Sequence, residues 1–534
     1  MTGADTDILI IGAGFSGLRA MHAATRAGLS ATGVESGRGV GGTWYWNRYP
    51  GARCDVESID YSYSFDPQLQ DEWEWSERYA TQPEILAYLE HVADRYDLRR
   101  RFEFGTTVLA ASFDGVRWSV RTDGDREYRP RFLLCATGSL SIPSVPDLPG
   151  LDGFAGRTLL TARWPAEEVS FRGERVGVIG TGSSGIQSIP LIAEQAAELT
   201  VFQRTANYSV PADNRPFSPA ERAEIRRMYP RRRADSAYSP AGTPHEAYPA
   251  DALAIDQRER DSAFQERWSA GGVLFGKTFP RQTTDERVNA LAREFAETKI
   301  RATVRDPRVA ADLVPDDHPI GTKRICTDSG YYETFNRDHV RLVNLRREPL
   351  EAVTPTGVRT AAGDYELDSL VLATGFDAMT GALRRIDLRG PRGDRLQEAW
   401  TGGPVSYLGL AVPGLPNLFY LTGPGSPSVL VNMVTAAEQQ VDWLVGLVRH
   451  CLDEGIDEVE ARADAAQRWT RHVDEVAERT LFPQAASWYT GANVPGKQRR
   501  FMPYLGGFGA YRRACEQVSA EGYPGFVLTS RGAR

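Results

Sequence analysis

Two short runs in this chain carry residues of a type and spacing that hold phosphate. Gly12-Ala13-Gly14-Phe15-Ser16-Gly17 follows the apolar run Ile8 to Ile11, and Gly180-Thr181-Gly182-Ser183-Ser184-Gly185 follows Val176 to Ile179. In each, glycines let the backbone turn sharply and approach a pyrophosphate, while the helix expected to open there offers its unpaired N–H groups to the anion. The strand after the first loop closes on Glu35, whose carboxylate suits a ribose diol; the strand after the second closes on Gln203-Arg204-Thr205. A cation there suits a 2′-phosphate, which a carboxylate would repel, so NADP is favoured over NAD; the competing reading of Arg204 is a solvated strand-end arginine. Two such folds in one chain imply one nucleotide held and one exchanged, a flavin (FAD) and a nicotinamide (NADPH). A disulfide reductase would share these folds but needs a CxxC pair, and Cys54, Cys135, Cys326, Cys451 and Cys515 are scattered singly.

The elements that must position these loops read as strand, turn, helix and strand, from Asp7 to Glu35 and again from Arg175 to Arg204. Phe132 to Cys135 and Ser369 to Leu372 read as further strands, each running into an Ala-Thr-Gly turn (136–138 and 373–375) that fits a chain crossing between two domains. From about 214 to 318 charged helical periods replace strands, as at 284 to 304, and mark a helical insertion. After 430 the chain reads as largely helical to Leu481, and the Gly- and Pro-rich stretch Gly491 to Gly509 is long enough to be a functional loop. The fold class is therefore α/β: two Rossmann-like dinucleotide-binding domains, for FAD and NADP, with a mostly helical insertion. The division runs 1–140 and 369–534 for the FAD domain, the second part including a C-terminal cofactor-covering loop, 141–213 and 319–368 for the NADP domain, and 214–318 for the insertion.

Bulk properties narrow the class. With 534 residues, 41% hydrophobic and 25% charged, the chain falls among soluble multidomain proteins. A net charge of −8 gives no footprint for nucleic acid, and the basic run Arg231 to Arg233 is read as a solvated helical face without function. No apolar stretch of membrane-spanning length and no basic leader is found, so neither a membrane partner nor export is expected, and single cysteines suit a cytoplasmic location. The seven histidines show no metal-ligand spacing. A monomer or weak oligomer is expected.

One further run is more specific: Gly41-Gly42-Thr43-Trp44-Tyr45-Trp46-Asn47-Arg48-Tyr49-Pro50-Gly51-Ala52-Arg53-Cys54-Asp55. It resembles the long motif of the type I Baeyer–Villiger monooxygenases, on the side of phenylacetone and steroid monooxygenases, and the resemblance extends nearly end to end. The family's fingerprint FxGxxxHxxxW followed by Pro or Asp is present in Phe154, Gly156, Trp164 and Pro165, with Leu160 where histidine is expected. By resemblance, Gly42, Thr43, Trp44, Trp46, Asp55 and Tyr61 join the first loop around FAD. Lys323, in Gly321-Thr322-Lys323-Arg324, joins Arg204 at the NADP 2′-phosphate, with Thr205 also among the cofactor-binding residues; Trp488 lies in the late loop that covers the cofactors; Ser428, Val429, Leu430 and Met433 wall the substrate.

What the resemblance implies chemically is NADPH- and O2-dependent conversion of a ketone to an ester or lactone through a C4a-peroxyflavin. Arg324 would hold the anionic oxygen, since a guanidinium stays protonated at any working pH, and Asp55 would orient it. Two other readings remain open at this stage: an oxygenase acting on nitrogen or sulfur centres, and a flavoprotein redox sensor that does not oxygenate.

Overall fold

The computed structural model describes residues 2–124 and 126–530. Its strands are β1 (Thr2–Ile11), β2 (Ala31–Glu35), β3 (Phe102–Phe104), β4 (Val108–Phe113), β5 (Trp118–Thr122), β6 (Glu127–Cys135), β7 (Arg157–Leu160), β8 (Arg175–Ile179), β9 (Glu198–Gln203), β10 (Val340–Asn344), β11 (Ser369–Leu372), β12 (Asp387–Arg389) and β13 (Leu418–Tyr420). They form two main sheets. The first runs β12-β4-β5-β6-β1-β2-β3, with β13 beside the end of β6. The second is wholly parallel, in the order β10-β9-β8-β11-β7.

Both sheets put a glycine loop at the carboxyl end of a central strand, where neighbours leave in opposite directions and a ligand crevice opens. In β1, Ile8, Leu9, Ile10 and Ile11 are all buried, as expected of a strand covered on both faces. Helix α1 (Phe15–Arg26) follows the first loop and buries Leu18, Ala20, Met21 and Ala24; helix α2 (Ser183–Ala193) follows the second and buries Ile186, Ile189 and Ile192. Neither has a side-chain N-cap, so the first-turn N–H groups remain available to an anion.

The insertion consists of helices Pro219–Ser236, Gln257–Ala270, Glu286–Thr303 and Pro307–Leu313, with a small core around Phe264, Phe275, Phe279 and Val288. Two expectations need correction here. Ser369–Leu372, assigned to the FAD half, pairs with both β8 and β7, so it completes the second sheet and the division falls after Leu372. The stretch after 430 is largely helical as expected, in Met433–Asp453 and Ala463–Glu478, with one short strand between them, Glu458–Ala461, paired antiparallel with Phe526–Thr529. Arg231 to Arg233 is not uniformly solvated. Arg231 is exposed, but Arg232 forks onto Asp60 through Nε and Nη2, both at 2.6 Å, and Arg233 reaches Ser62 Oγ at 2.7 Å.

Asp60 is only 3% exposed at its side chain, so Arg232 offsets a buried charge and fastens the insertion to the first domain. Arg232→Ala should therefore cost about 3 kcal/mol, read as a lower unfolding midpoint, whereas Arg231→Ala should be within about 0.5 kcal/mol of the parent.

Candidate active site

The first phosphate loop is built on contacts that tolerate no side chain. Gly12 has φ +107°, and a Cβ there would lie 2.5 Å from the Ala136 carbonyl oxygen; one on Gly17 would lie 1.8 Å from the Gly12 oxygen. The second loop repeats this with Gly180 against Ala373 and Gly185 against Gly180. The two Ala-Thr-Gly turns are thus the backing of the two nucleotide loops as well as crossings. Around Gly182 the space is open, which leaves room for a pyrophosphate. Phe15 sets its edge against Tyr61 at 5.0 Å, and the Ser16 and Gly17 N–H groups lie in the first turn of α1. Glu35 is buried at the end of β2 and accepts from the N–H groups of Ala13 (2.8 Å) and Gly37 (2.7 Å), which holds the loop and its own carboxylate in one geometry.

The run from Gly42 to Asp55 bridges the two loops. The Gly42 Cα is 3.4 Å from the point a Cβ on Gly14 would occupy, and Thr43–Trp46 forms one helical turn whose Trp44 Nε1–H donates to Tyr61 Oη at 3.3 Å. Farther on, the Tyr49 hydroxyl meets Gln187 Oε1 at 2.8 Å, and Gln187 Nε2 donates to the Arg53 carbonyl at 3.1 Å, so the turn at Pro50-Gly51 sits on α2 of the other sheet. Trp46 lies beneath the Arg163 guanidinium at 4.3 Å. At the end of the run Asp55 takes two hydrogen bonds from Arg324, Nε at 2.7 Å and Nη2 at 2.6 Å.

Arg324 is delivered by the strand Cys326–Asp328, which pairs in parallel with Ser209–Pro211 directly after the second nucleotide motif. Asn207 Nδ2 donates to the Arg324 carbonyl at 3.2 Å, and Arg324 Nη1 donates to the carbonyl of Val429 at 3.1 Å. Burial works against the guanidinium's charge, yet the Asp55 carboxylate more than offsets it and holds the pKa above the ordinary arginine value. Tyr489, only paired with Trp488 in the sequence reading, is buried near this guanidinium; burial pushes its phenol up to about 12. Its sequence signal was two adjacent aromatics, which any core also provides.

The structure brings Arg324, Asp55, Tyr489 and Val429 to one place and sets Arg204 and Lys323 at the far end of the second nucleotide loop. Arg204 is exposed just beyond β9; Thr205 accepts from the Thr181 hydroxyl at 2.9 Å, and the Ser183 hydroxyl meets Cys326 Sγ at 3.2 Å. Leu430, Met433 and Trp488 are half-buried around an apolar cluster with Met379, Phe482 and Phe501. Ser428 differs from the rest of the expected wall: it is fully buried at φ +44°, and its hydroxyl is bound to the Thr422 carbonyl.

A curated relative named Baeyer–Villiger monooxygenase, from Pseudooceanicola batsensis, is 41% identical over 98% of this chain and 96% of its own length. The chain belongs to the Baeyer–Villiger monooxygenases. A cyclohexanone 1,2-monooxygenase from Acinetobacter sp is 38% identical, covering 98% of this chain and 97% of that protein. Among solved structures, an oxidised steroid monooxygenase bound to NADP is 54% identical and covers 99% of this chain and 100% of that one at a TM-score of 0.95. Residues 9–235 also match the family described as "Pyridine nucleotide-disulphide oxidoreductase", a match that reflects the nucleotide folds. As a Baeyer–Villiger monooxygenase the chain binds FAD and NADPH, and the residues fit both groups: two glycine loops whose close backbone contacts exclude side chains, two uncapped helix N-termini, Glu35 at one and cations at the other. No helix of the described residues is long and apolar enough to cross a membrane.

The thiols speak against disulfide chemistry. All five cysteines are buried and unpaired, and burial raises Cys135, Cys326, Cys451 and Cys515 to about 12. In the native protein at pH 8 a thiol-reactive dye should label none within minutes, and all five after denaturation; a fast-reacting native thiol would contradict this.

Proposed function

We propose that this chain inserts one atom of O2 beside the carbonyl of an apolar ketone, giving an ester or lactone and water at the expense of NADPH, with Arg324 and Asp55 as its catalytic pair. The observation that carries the reading is the bidentate Arg324–Asp55 pair, which joins the segment reaching from the first nucleotide loop to the strand that follows the second. Bound FAD, once reduced by NADPH, supplies the activated oxygen.

The protein's part is electrostatic and spatial. A guanidinium has five N–H groups. Asp55 takes two and the Val429 carbonyl one, which leaves one on each terminal nitrogen, close to Tyr489, for the negative charge that develops on oxygen during attack. Because Asp55 already fixes the plane of the guanidinium, little reorganisation is required in the transition state. Val429, Leu430 and Met433, with Met379 and Phe501, offer apolar surface beside this centre, which favours a hydrophobic ketone.

Water must be kept from the reacting oxygen. The loop from Trp488 onward is fastened over the chain crossing: Lys497 Nζ donates to Asp377 Oδ1 at 2.6 Å and to the Ala378 carbonyl at 2.8 Å, and Asn493 Nδ2 donates to the Phe376 carbonyl at 2.7 Å. The linker that carries Leu160 is tied without an imidazole. Leu160 ends β7 opposite Leu372, the Thr161 hydroxyl meets Ser184 Oγ at 3.1 Å, and Arg163 covers Trp46.

Two experiments test this reading. Arg324→Ala should leave NADPH-driven flavin reduction measurable in stopped flow while product from a ketone panel falls by about a thousandfold; undiminished product would sink the assignment. Lys497→Met, which unfastens the loop, should increase hydrogen peroxide released per NADPH severalfold with little change in flavin reduction.

A further inference from the structure

The second nucleotide site contains a cation that neither the glycine motif nor the strand-end pattern singles out. Strands β9 and β10 run parallel with Gln203 opposite Asn344, and the Leu345 N–H donates to the Gln203 carbonyl at 2.8 Å. Arg204 and Arg346 therefore leave neighbouring strand ends at the edge where the Gly180 loop opens. The Arg346 N–H is fixed on Asn344 Oδ1 at 3.0 Å.

The side chains around Arg346 form an ordered set. Its Nη2 lies 3.2 Å from Asp317 Oδ2, the same oxygen that takes Lys323 Nζ at 3.3 Å, and its Nη1 lies 2.7 Å from Asp316 Oδ1. The other Asp317 oxygen is 2.6 Å from His318 Nδ1. An ionised carboxylate only accepts, so that nitrogen carries the proton and donates. The His318 side chain is fully buried, edge-on to Tyr208 at 5.4 Å, and burial, the larger influence, lowers its pKa despite Asp317, which keeps the ring neutral. One carboxylate, oriented from its buried side, thus gathers Lys323 and Arg346, and Lys323 lies within the electrostatic reach of Arg204 as well. Asp316 is 72% exposed and its charge is screened by water, so it does little to neutralise the cluster. Excess positive charge remains at one spot beside the ribose end of the site.

We propose that Arg346 is a third cation for the 2′-phosphate of the nicotinamide dinucleotide, and that Asp317, braced by His318, positions Arg346 and Lys323 for that contact. The inference rests on the NADPH reading above and adds to it the residues that set NADPH against NADH. A phosphate dianion held by three cations, two of them preorganised on one carboxylate, gains charge-assisted hydrogen bonds that a ribose hydroxyl cannot replace.

The test is calorimetric titration of the FAD-loaded protein with 2′,5′-ADP and with 5′-ADP, which differ only in the phosphate at issue. The parent should favour 2′,5′-ADP. Arg346→Ala should weaken 2′,5′-ADP about tenfold and 5′-ADP less than twofold, with most of the loss recovered in Arg346→Lys. Asp317→Ala, which frees both cations, should narrow the preference about threefold. Equal weakening of both ligands by Arg346→Ala, or no weakening of either, would overturn the role of Arg346; a wider preference in Asp317→Ala would overturn its positioning role. A parent that does not distinguish the two ligands would defeat the NADPH reading along with this one, whereas a discriminating parent with an equally discriminating Arg346→Ala defeats this inference alone.

Discussion

A single ion pair ties the proposed chemistry of this protein to its architecture. Arg324 and Asp55 are 269 positions apart in the chain, yet they meet through two hydrogen bonds of 2.6 and 2.7 Å. A guanidinium with little access to water is best held beside a fixed anion, so neither residue can be displaced without leaving a poorly solvated charge behind. Whatever holds the two sheets in register also sets the aim of the arginine.

The segment from Gly41 to Asp55 works as a spacer between the two nucleotide loops. Its start packs on Gly14, its middle rests on α2 through Tyr49, Gly51 and Arg53, and its end orients Arg324. That explains why so many residue types are specified in so short a run: each third of it answers to a different neighbour. The helical insertion is anchored to the same region, since Arg232 fastens it to Glu57 and Asp60, a few residues beyond Asp55. The late loop closes the arrangement from the other side, with Tyr489 beside Arg324 and Lys497 on the crossing turn at Asp377.

At the other end of the second sheet, parallel pairing of β9 and β10 collects positive charge from distant parts of the chain. Arg204 follows one strand, Arg346 follows the next, and Lys323 immediately precedes Arg324, so the charge proposed for the cofactor and the charge proposed for the reacting oxygen belong to one short stretch.

The glycine loops, the acid Glu35 and the base Arg204, and the absence of paired cysteines were legible in the amino-acid order because they are local: a turn that excludes a side chain, or a charge at the end of a strand, is specified within a few residues. The long aromatic run and Arg324 were legible through family resemblance. Strand partners were not: Ser369–Leu372 has the same apolar content whichever sheet it joins, and only the hydrogen bonds to β7 and β8 assign it. The same holds for the polar sites. Asp317, His318 and Arg346 are ordinary charged or polar positions in sequence, and Ser428 looks like a free hydroxyl until its burial and bond to Thr422 are seen. Local sequence determined which loops could hold phosphate; the folded chain alone decided which distant charges face each other, because a salt bridge depends on separations of a few ångström that no linear spacing encodes.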